Sequence, residues 1–219
     1  KEEIDGLPLR TLESLASAAK EAGDINTLNN SEPTPEEGPW RIGLDMPRYI
    51  PYMTYSTNRN LRETLYKAYV KRASDGELNN QPLIEEILIL RQKQAESLGY
   101  ESWADLSLAS KMAKNVGEVE TLLEELRLAS ISAAKKELNE LQLLADKKES
   151  SNKYTLAPWD ISYWSEKLKQ EQFNLNQELL RPWFPLNQVL EGLFSLCERI
   201  FNIYIEAADN EVPIWHKDV

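Results

Sequence analysis

The side chains that most often bind metals or attack substrates are scarce in this sequence. His216 is the only histidine and Cys197 is the only cysteine among the 219 residues. A catalytic zinc ion takes three protein ligands, and helical peptidase sites supply two of them as histidines four residues apart. The chain therefore cannot build such a site alone. His216 and Asp218 could supply two ligands, but we interpret them as neighbours on a surface strand.

Cys197 is also a poor candidate for covalent catalysis. A cysteine nucleophile needs a base nearby, and His216 is the only imidazole in the chain. Its neighbours on the predicted helix are large apolar residues: Leu193, Phe194, Ile200 and Phe201. We interpret Cys197 as a small buried core residue. The sequence also has no glycine-rich phosphate loop, and it offers no candidate catalytic residue.

Aromatic side chains are the best remaining candidates for a binding site. Trp159 and Tyr163 are four residues apart on a predicted helix and so share one of its faces. Aromatic side chains of this kind can line a groove that holds a peptide. They can equally pack in the core between two helices. Both interpretations stay open, with Trp159 and Tyr163 as candidate substrate-channel residues.

The charge of the chain restricts its partners. It has 36 acidic and 25 basic residues, and its net charge is −11. Such a surface repels phosphate backbones and anionic lipids, which argues against nucleic acid and membrane partners. No apolar run is long enough to cross a bilayer. A single cysteine permits no internal disulfide, so the composition favours a cytoplasmic protein.

The hydrophobic pattern predicts a mainly α fold. Apolar residues recur at helical spacing over most of the chain, in the segments 7–23, 58–74, 81–100, 102–113, 115–148, 157–173 and 187–203. Gly23 and Gly99 are predicted to end helices. Ser102 and Asn115 are predicted to cap the starts of helices, the latter together with Glu118. Short β-strands are predicted near residues 39–45 and 203–219.

Seven segments, in this order and at this spacing, resemble the oligopeptidase A and thimet oligopeptidase family of zinc metallopeptidases, most closely its bacterial, cyanobacterial-type oligopeptidase A branch. They are RIGLDMPRYIPYM, NRNLRETLYKAYVKRASDGELNN, LIEEILILRQKQAESLGY, SLASKMA, WDISYWSEKL, ELLRPWFPL and VPIWHKDV. The resemblance covers residues 6–219. Asn79 stands where the family commonly has aspartate, and Trp183 stands where it commonly has tyrosine.

The resemblance implies a fold of two mostly helical lobes that face each other across a deep, narrow channel. The channel admits short peptides, and zinc lies at its floor. The zinc-binding motif of the family follows the segment that this chain resembles, so no zinc ligand or catalytic group can be assigned here. Residues 1–38 would form an N-terminal helix and linker, 39–202 a helical lobe, and 203–219 the first part of the catalytic-lobe sheet.

Two functions are compatible with this sequence. In the first, the chain is a segment of a cytoplasmic zinc endo-oligopeptidase, supplies lobe scaffold and channel wall, and is inactive alone. Its partners would be short peptide substrates and the remainder of the catalytic lobe. In the alternative, it is a stand-alone, non-catalytic helical protein that binds peptides.

The ends of the chain favour the first interpretation. The sequence begins at Lys1 and ends within a predicted strand, which we interpret as truncation at both ends. Apolar residues that would pack on a missing lobe should then be exposed, among them Phe194, Phe201, Ile203 and Trp215. Such patches favour self-association, whereas a clean monomer at high concentration would argue against truncation.

Overall fold

The computed structural model describes residues 2–27, 30–149, 153–175, 177–208 and 213–216. Within these ranges the chain is mainly helical, which confirms the predicted fold class. The helices are α1 at Leu9–Glu21, α2 at Met46–Tyr55, α3 at Arg59–Val70, α4 at Gln81–Ser97, α5 at Trp103–Leu108, α6 at Val116–Lys148, α7 at Pro158–Phe173, α8 at Gln177–Leu180 and α9 at Leu186–Phe201. Short 3₁₀ turns lie at Glu2–Ile4, Gly76–Leu78 and Arg181–Trp183.

Side-chain caps set where α5 and α6 begin. At α5, Ser102 Oγ accepts a hydrogen bond from the Asp105 N–H at 3.2 Å. At α6, Asn115 Oδ1 accepts from the Glu118 N–H at 2.9 Å, and the Glu118 carboxylate accepts from the Lys114 N–H at 2.8 Å. The caps predicted at Ser102 and Asn115 are therefore confirmed, and each satisfies an N–H group that the first turn leaves free.

Glycines in the left-handed region end α1 and α4, as predicted. Gly23 has φ of +76° and Gly99 has φ of +81°. After α1, the Gly23 N–H donates to the Lys20 carbonyl at 3.0 Å and the Asp24 N–H donates to the Ala19 carbonyl at 2.9 Å. This pair of bonds satisfies carbonyls of the last helical turn, and only glycine adopts the required φ at low cost.

Two apolar clusters hold the first part of the chain together. In one, Leu7 and Leu15 pack against Tyr52 of α2. The Tyr52 hydroxyl donates to the Glu3 carbonyl at 2.8 Å, which ties the N-terminal turn to α2. In the other, Trp164 of α7 packs against three buried residues of α6: Leu141, Leu144 and Ala145. These clusters are small, so polar contacts also fix the arrangement of the helices.

The strand predicted at residues 39–45 does not form. The Arg41 N–H donates to the Leu15 carbonyl of α1 at 3.1 Å, and the Trp40 indole N–H donates to the Pro35 carbonyl at 3.1 Å. Asp45, at the end of this segment, caps α2 by accepting from the Arg48 N–H. The prediction was wrong because the segment finds its partners in a helix and in its own turn, and a strand needs a neighbouring strand.

The strand predicted at residues 203–219 is likewise not seen in its described part. Residues 202–208 and 213–216 contain no regular structure. The Ile205 N–H donates to the Glu198 carboxylate of α9 at 3.2 Å, so it pairs with a helix side chain. Residues 209–212 and 217–219, including Asp218, lie outside the described residues.

The chain divides into two compact units, Lys1–Phe173 and Asn174–Val219. The first contains α1 to α7 and both apolar clusters. The second contains α8 and α9, and α9 carries many large apolar side chains that are exposed. Phe194, Phe201, Ile203 and Trp215 are all exposed, as predicted. The predicted boundaries at residues 38 and 202 stay a prediction, because packing within this chain does not test them.

Gly6 provides a direct test of the N-terminal packing. Its φ is +81°, and an added Cβ would overlap the Tyr55 carbonyl oxygen at the end of α2. We expect Gly6→Ala to lower the free energy of unfolding by about 1–3 kcal/mol, from backbone strain and overlap together. Urea denaturation followed by circular dichroism measures this loss.

Gly23→Ala is the matched control for Gly6→Ala. Gly23 has a similar φ of +76°, but no atom lies within 4 Å of the position that an added Cβ would occupy. The Gly23→Ala variant therefore has the strain of a positive φ without overlap between the added Cβ and its neighbours. Equal losses for the two variants would contradict the close contact between Gly6 and α2.

Candidate functional site

A fully buried carboxylate lies where α3 meets α7. Asp160 and Arg62 are almost completely inaccessible to solvent, and Arg62 Nη2 lies 2.9 Å from Asp160 Oδ1. Arg59, one turn earlier on α3, places its Nη2 2.8 Å from Asp160 Oδ2. We name these three residues the Asp160 cluster. Its hydrogen bonds to Asp160 raise the pKa of the Arg59 guanidinium above its ordinary value, so Arg59 is charged.

Backbone groups make further hydrogen bonds with Arg62 and Asp160. Arg62 donates to the Ser56 carbonyl at 2.7 Å and to the Trp159 carbonyl at 3.1 Å. Asp160 Oδ2 also accepts from the Ala157 N–H at 3.0 Å, which helps to begin α7. Buried charges are tolerated only when they are paired and hydrogen-bonded, and this cluster meets both conditions.

The Asp160 cluster positions the two aromatic residues that the sequence singled out. Trp159 is half-buried, and its ring lies 5.9 Å from that of Tyr66 on α3. The Lys67 ammonium lies 5.6 Å from the Trp159 ring centroid. Trp159 Nε1 is buried and has no hydrogen-bond partner among the described residues. Trp159 therefore packs mainly against α3.

Tyr163 lies one turn later on α7 and has different neighbours. The Arg62 guanidinium lies over its ring at 4.3 Å, and Trp164 meets it edge-on at 5.2 Å. Burial raises the pKa of the Tyr163 phenol, Arg62 opposes this increase, and the Glu149 carboxylate adds to it. The two aromatic residues therefore differ in their neighbours, and Tyr163 borders a cavity.

That cavity, which we name the Tyr163 cavity, lies between the C-terminal end of α6 and α7. Its volume is about 540 Å³. It is lined by Lys148, Glu149, Tyr163, Trp164, Lys167, Gln170 and Glu171. The cavity thus combines two aromatic side chains with both positive and negative charges, which suits it to binding rather than to bond cleavage.

The comparison with known proteins decides the family. The sequence profile of Peptidase family M3 matches residues 52–219, which is well over half of the chain. The chain belongs to peptidase family M3. This result confirms the resemblance to oligopeptidase A and thimet oligopeptidase that the seven segments indicated, and with it the classification as a metallopeptidase sequence.

Curated relatives of this M3 chain are named as oligopeptidases. It is 43% identical to organellar oligopeptidase A, chloroplastic/mitochondrial, of Arabidopsis thaliana, over 100% of the chain and 27% of the relative. It is 41% identical to probable cytosolic oligopeptidase A of the same plant, over 100% of the chain and 30% of the relative. It is 40% identical to oligopeptidase A of Escherichia coli (strain K12), over 99% of the chain and 30% of the relative. The chain thus spans 27–30% of the length of these relatives.

The described residues of this M3 chain do not fit a catalytic zinc ion. They contain no group of three or more His, Cys, Asp or Glu side chains that could hold a metal. Asp160 has both carboxylate oxygens engaged by arginines, so it is not free to act as a base. Cys197 is half-buried on α9 rather than fully buried as predicted. Across the part of the chain that the structure describes, no helix has the length and apolar composition to span a membrane.

Sequence reasoning missed the Asp160 cluster. None of Arg59, Arg62 and Asp160 was singled out as a candidate site residue. One signal was present, because Asp160 lies between aromatic residues in the segment PWDISYW. A carboxylate in such surroundings loses water contacts on folding and needs a cation nearby.

Proposed function

We propose that this chain is a segment of a zinc-dependent endo-oligopeptidase that hydrolyses short peptides. Within that enzyme it supplies lobe scaffold and channel wall, and it is inactive alone. The observation that carries the proposal is the similarity to oligopeptidases at 40–43% identity over essentially the whole chain, together with its span of 27–30% of their length. The zinc ligands would belong to the remainder of the enzyme.

The α3–α7 junction supports the proposed scaffold role. The Asp160 cluster joins residues that are about 100 positions apart in the sequence, and arginines engage both oxygens of its only carboxylate. Trp159 and Tyr163 are held on this junction, and we propose that they contribute to the channel wall. Their half-buried rings offer apolar surface that a peptide would cover.

The exposed apolar faces of α4 and α6 support the proposed partner. In α4, apolar side chains about half exposed to solvent occur on several sides of the helix: Leu83, Ile84, Ile87, Leu88, Ile89 and Leu90. A helix that is apolar on several sides is normally buried in a larger protein. We propose that the remainder of the enzyme covers these faces. We also propose a cytoplasmic location, as the name of the cytosolic plant relative suggests.

A chimera tests the proposed function. The matching segment of Escherichia coli oligopeptidase A is replaced by this chain, and hydrolysis of a fluorogenic oligopeptide is measured. We expect zinc-dependent hydrolysis by the chimera, and none by the 219-residue chain alone with added zinc. We further expect Tyr163→Ala in the chimera to raise KM more than it lowers kcat, because a channel-wall residue contributes to binding.

Two controls accompany the chimera. Tyr100→Ala removes another aromatic ring from the first unit, at the end of α4 and far along the chain from Tyr163, and should leave KM unchanged. Circular dichroism and zinc content establish that each chimera is folded and loaded. A folded, zinc-loaded chimera without activity would contradict the scaffold role, and hydrolysis by the chain alone would contradict its predicted inactivity.

A further inference from the structure

The Tyr163 cavity has the size and surfaces of a small-molecule site. Its volume of about 540 Å³ falls within the usual range for ligand pockets, about 300–1,000 Å³. Tyr163, which is half-buried, provides apolar surface, and Trp164 lies beneath it with only 2% of its own surface exposed. The rim is charged and comes from two different helices, α6 and α7. The cavity therefore offers an apolar surface and charged groups to one ligand.

The charged groups of the rim are not all neutralised within the protein. Glu171 pairs with Lys147 at 2.9 Å and with Lys148 at 3.0 Å. Lys167 and Glu149 make no ion pair or side-chain hydrogen bond with any residue in the described ranges. The Lys167 ammonium lies 5.2 Å from the Tyr163 ring centroid, so it is held at the cavity. Among the described residues, one positive group on α7 and one negative group just after the C-terminal end of α6 thus have no ionic partner.

A ligand that satisfies both groups must carry both charges. An ammonium group would pair with Glu149 and a carboxylate with Lys167, because charge-assisted hydrogen bonds are the strongest that such side chains make. An apolar side chain on the same ligand would cover the exposed part of Tyr163. We propose that the Tyr163 cavity binds a zwitterionic dipeptide or amino acid with a large apolar side chain.

This inference rests on the proposed function and extends it, because the Tyr163 cavity would bind both charged end groups of a very short peptide. The two sources of the same chemistry differ in the separation of their charges. A free amino acid places its ammonium and carboxylate on one carbon atom, whereas a dipeptide separates them by a peptide bond. Phenylalanine and alanyl-phenylalanine therefore distinguish the two sources.

Isothermal titration calorimetry on the whole 219-residue chain tests the inference. We expect saturable binding of alanyl-phenylalanine or of phenylalanine. The N-acetylated form of the bound compound lacks the ammonium and its amide lacks the carboxylate. Each should bind about tenfold more weakly, because each leaves one charged hydrogen bond unmade.

Paired variants locate the binding. Glu149→Gln should weaken binding of the zwitterionic ligand about tenfold but leave binding of its N-acetylated form unchanged. Lys167→Gln should also weaken binding of the zwitterionic ligand about tenfold but leave binding of its amide unchanged. Glu86→Gln and Lys93→Gln make the same charge changes on exposed positions of α4 and should leave binding unchanged. This pattern is not expected from a general change in net charge.

Two results would overturn the inference. One is the absence of binding by either zwitterion at millimolar concentration to a chain that circular dichroism shows to be folded. The other is binding that is insensitive to the end groups or to Glu149 and Lys167. The experiment does not involve hydrolysis, so the chimera can be active while the cavity fails to bind, and the failure of either proposal is recognisable.

Discussion

Replacing Asp160 by asparagine should lower the free energy of unfolding by about 3–5 kcal/mol. Asparagine has nearly the same shape but no charge, and its amide group would point N–H donors towards guanidinium donors. Arg62, which is 1% exposed, would then remain buried without a counter-charge. Chemical denaturation followed by circular dichroism measures the loss, and thermal unfolding provides a second readout.

Asp24→Asn is the matched control for Asp160→Asn. Asp24 forms a bidentate pair with Arg41 at 2.7 and 2.8 Å, so the local geometry resembles that of Asp160. That pair is exposed to solvent, and exposed ion pairs contribute little to stability. Asp24→Asn should therefore cost much less than Asp160→Asn.

A graded variant keeps the test informative if Asp160→Asn does not fold. Arg59 is 31% exposed, so Arg59→Gln removes one hydrogen-bonded partner while leaving the buried pair of Arg62 and Asp160 intact. We expect Arg59→Gln to lower the free energy of unfolding by more than Asp24→Asn does but by less than Asp160→Asn does. Losses for Asp160→Asn and Asp24→Asn that are equal within error would contradict a buried charge cluster between α3 and α7.

The 219-residue chain should self-associate when it is purified alone. Many large apolar residues of α4 and of the first half of α6 are about half exposed, among them Leu88, Leu122, Leu123 and Leu126. Contiguous apolar surface of this kind is removed from water when chains associate. Sedimentation velocity at increasing concentration should show species larger than the 25.2 kDa monomer.

Charged substitutions on the exposed helices test the cause of this association. The double variant Leu88→Lys and Leu123→Lys places two ammonium groups in the apolar surface and should shift the distribution towards monomer. Gln94→Lys and Asn139→Lys make the same change in net charge at exposed polar positions of α4 and α6. If both double variants dissociate equally, the change in net charge and not the loss of apolar surface governs association. An unmodified chain that stays monomeric at high concentration would contradict the prediction altogether.

The features that the sequence predicted well are local in the chain. Ser102 and Asn115 cap helices through bonds to residues three positions away, and Gly23 and Gly99 end helices through their own φ. Each of these rules involves only one or two turns of backbone, so neighbouring residues contain the necessary information. The family assignment also depended on neighbouring residues alone, since it used contiguous segments of the sequence.

The features that the sequence did not predict depend on distant residues. Arg62 and Asp160 are 98 positions apart, and no pattern of spacing joins them. The extended segment at residues 39–45 was predicted as a strand because local preference favours extended backbone, but its partner is Leu15 of α1. Trp159 and Tyr163 were correctly placed on one helix, whereas the charged groups around Tyr163 come from both α6 and α7.

The length of α6 has a mechanical consequence. The helix has 33 residues, and its buried residues begin only at Leu141. Residues 116–140 of α6 thus contain no buried side chain, and at 1.5 Å per residue they span about 37 Å. A tilt of about 5° at Leu141 would move the start of α6 by about 3 Å. The α6 helix contacts α5, which in turn contacts α4. A small change in the angle between α6 and α7 at Trp164 would therefore displace the start of α6 by a much larger distance, and α5 and α4 would have to move with it.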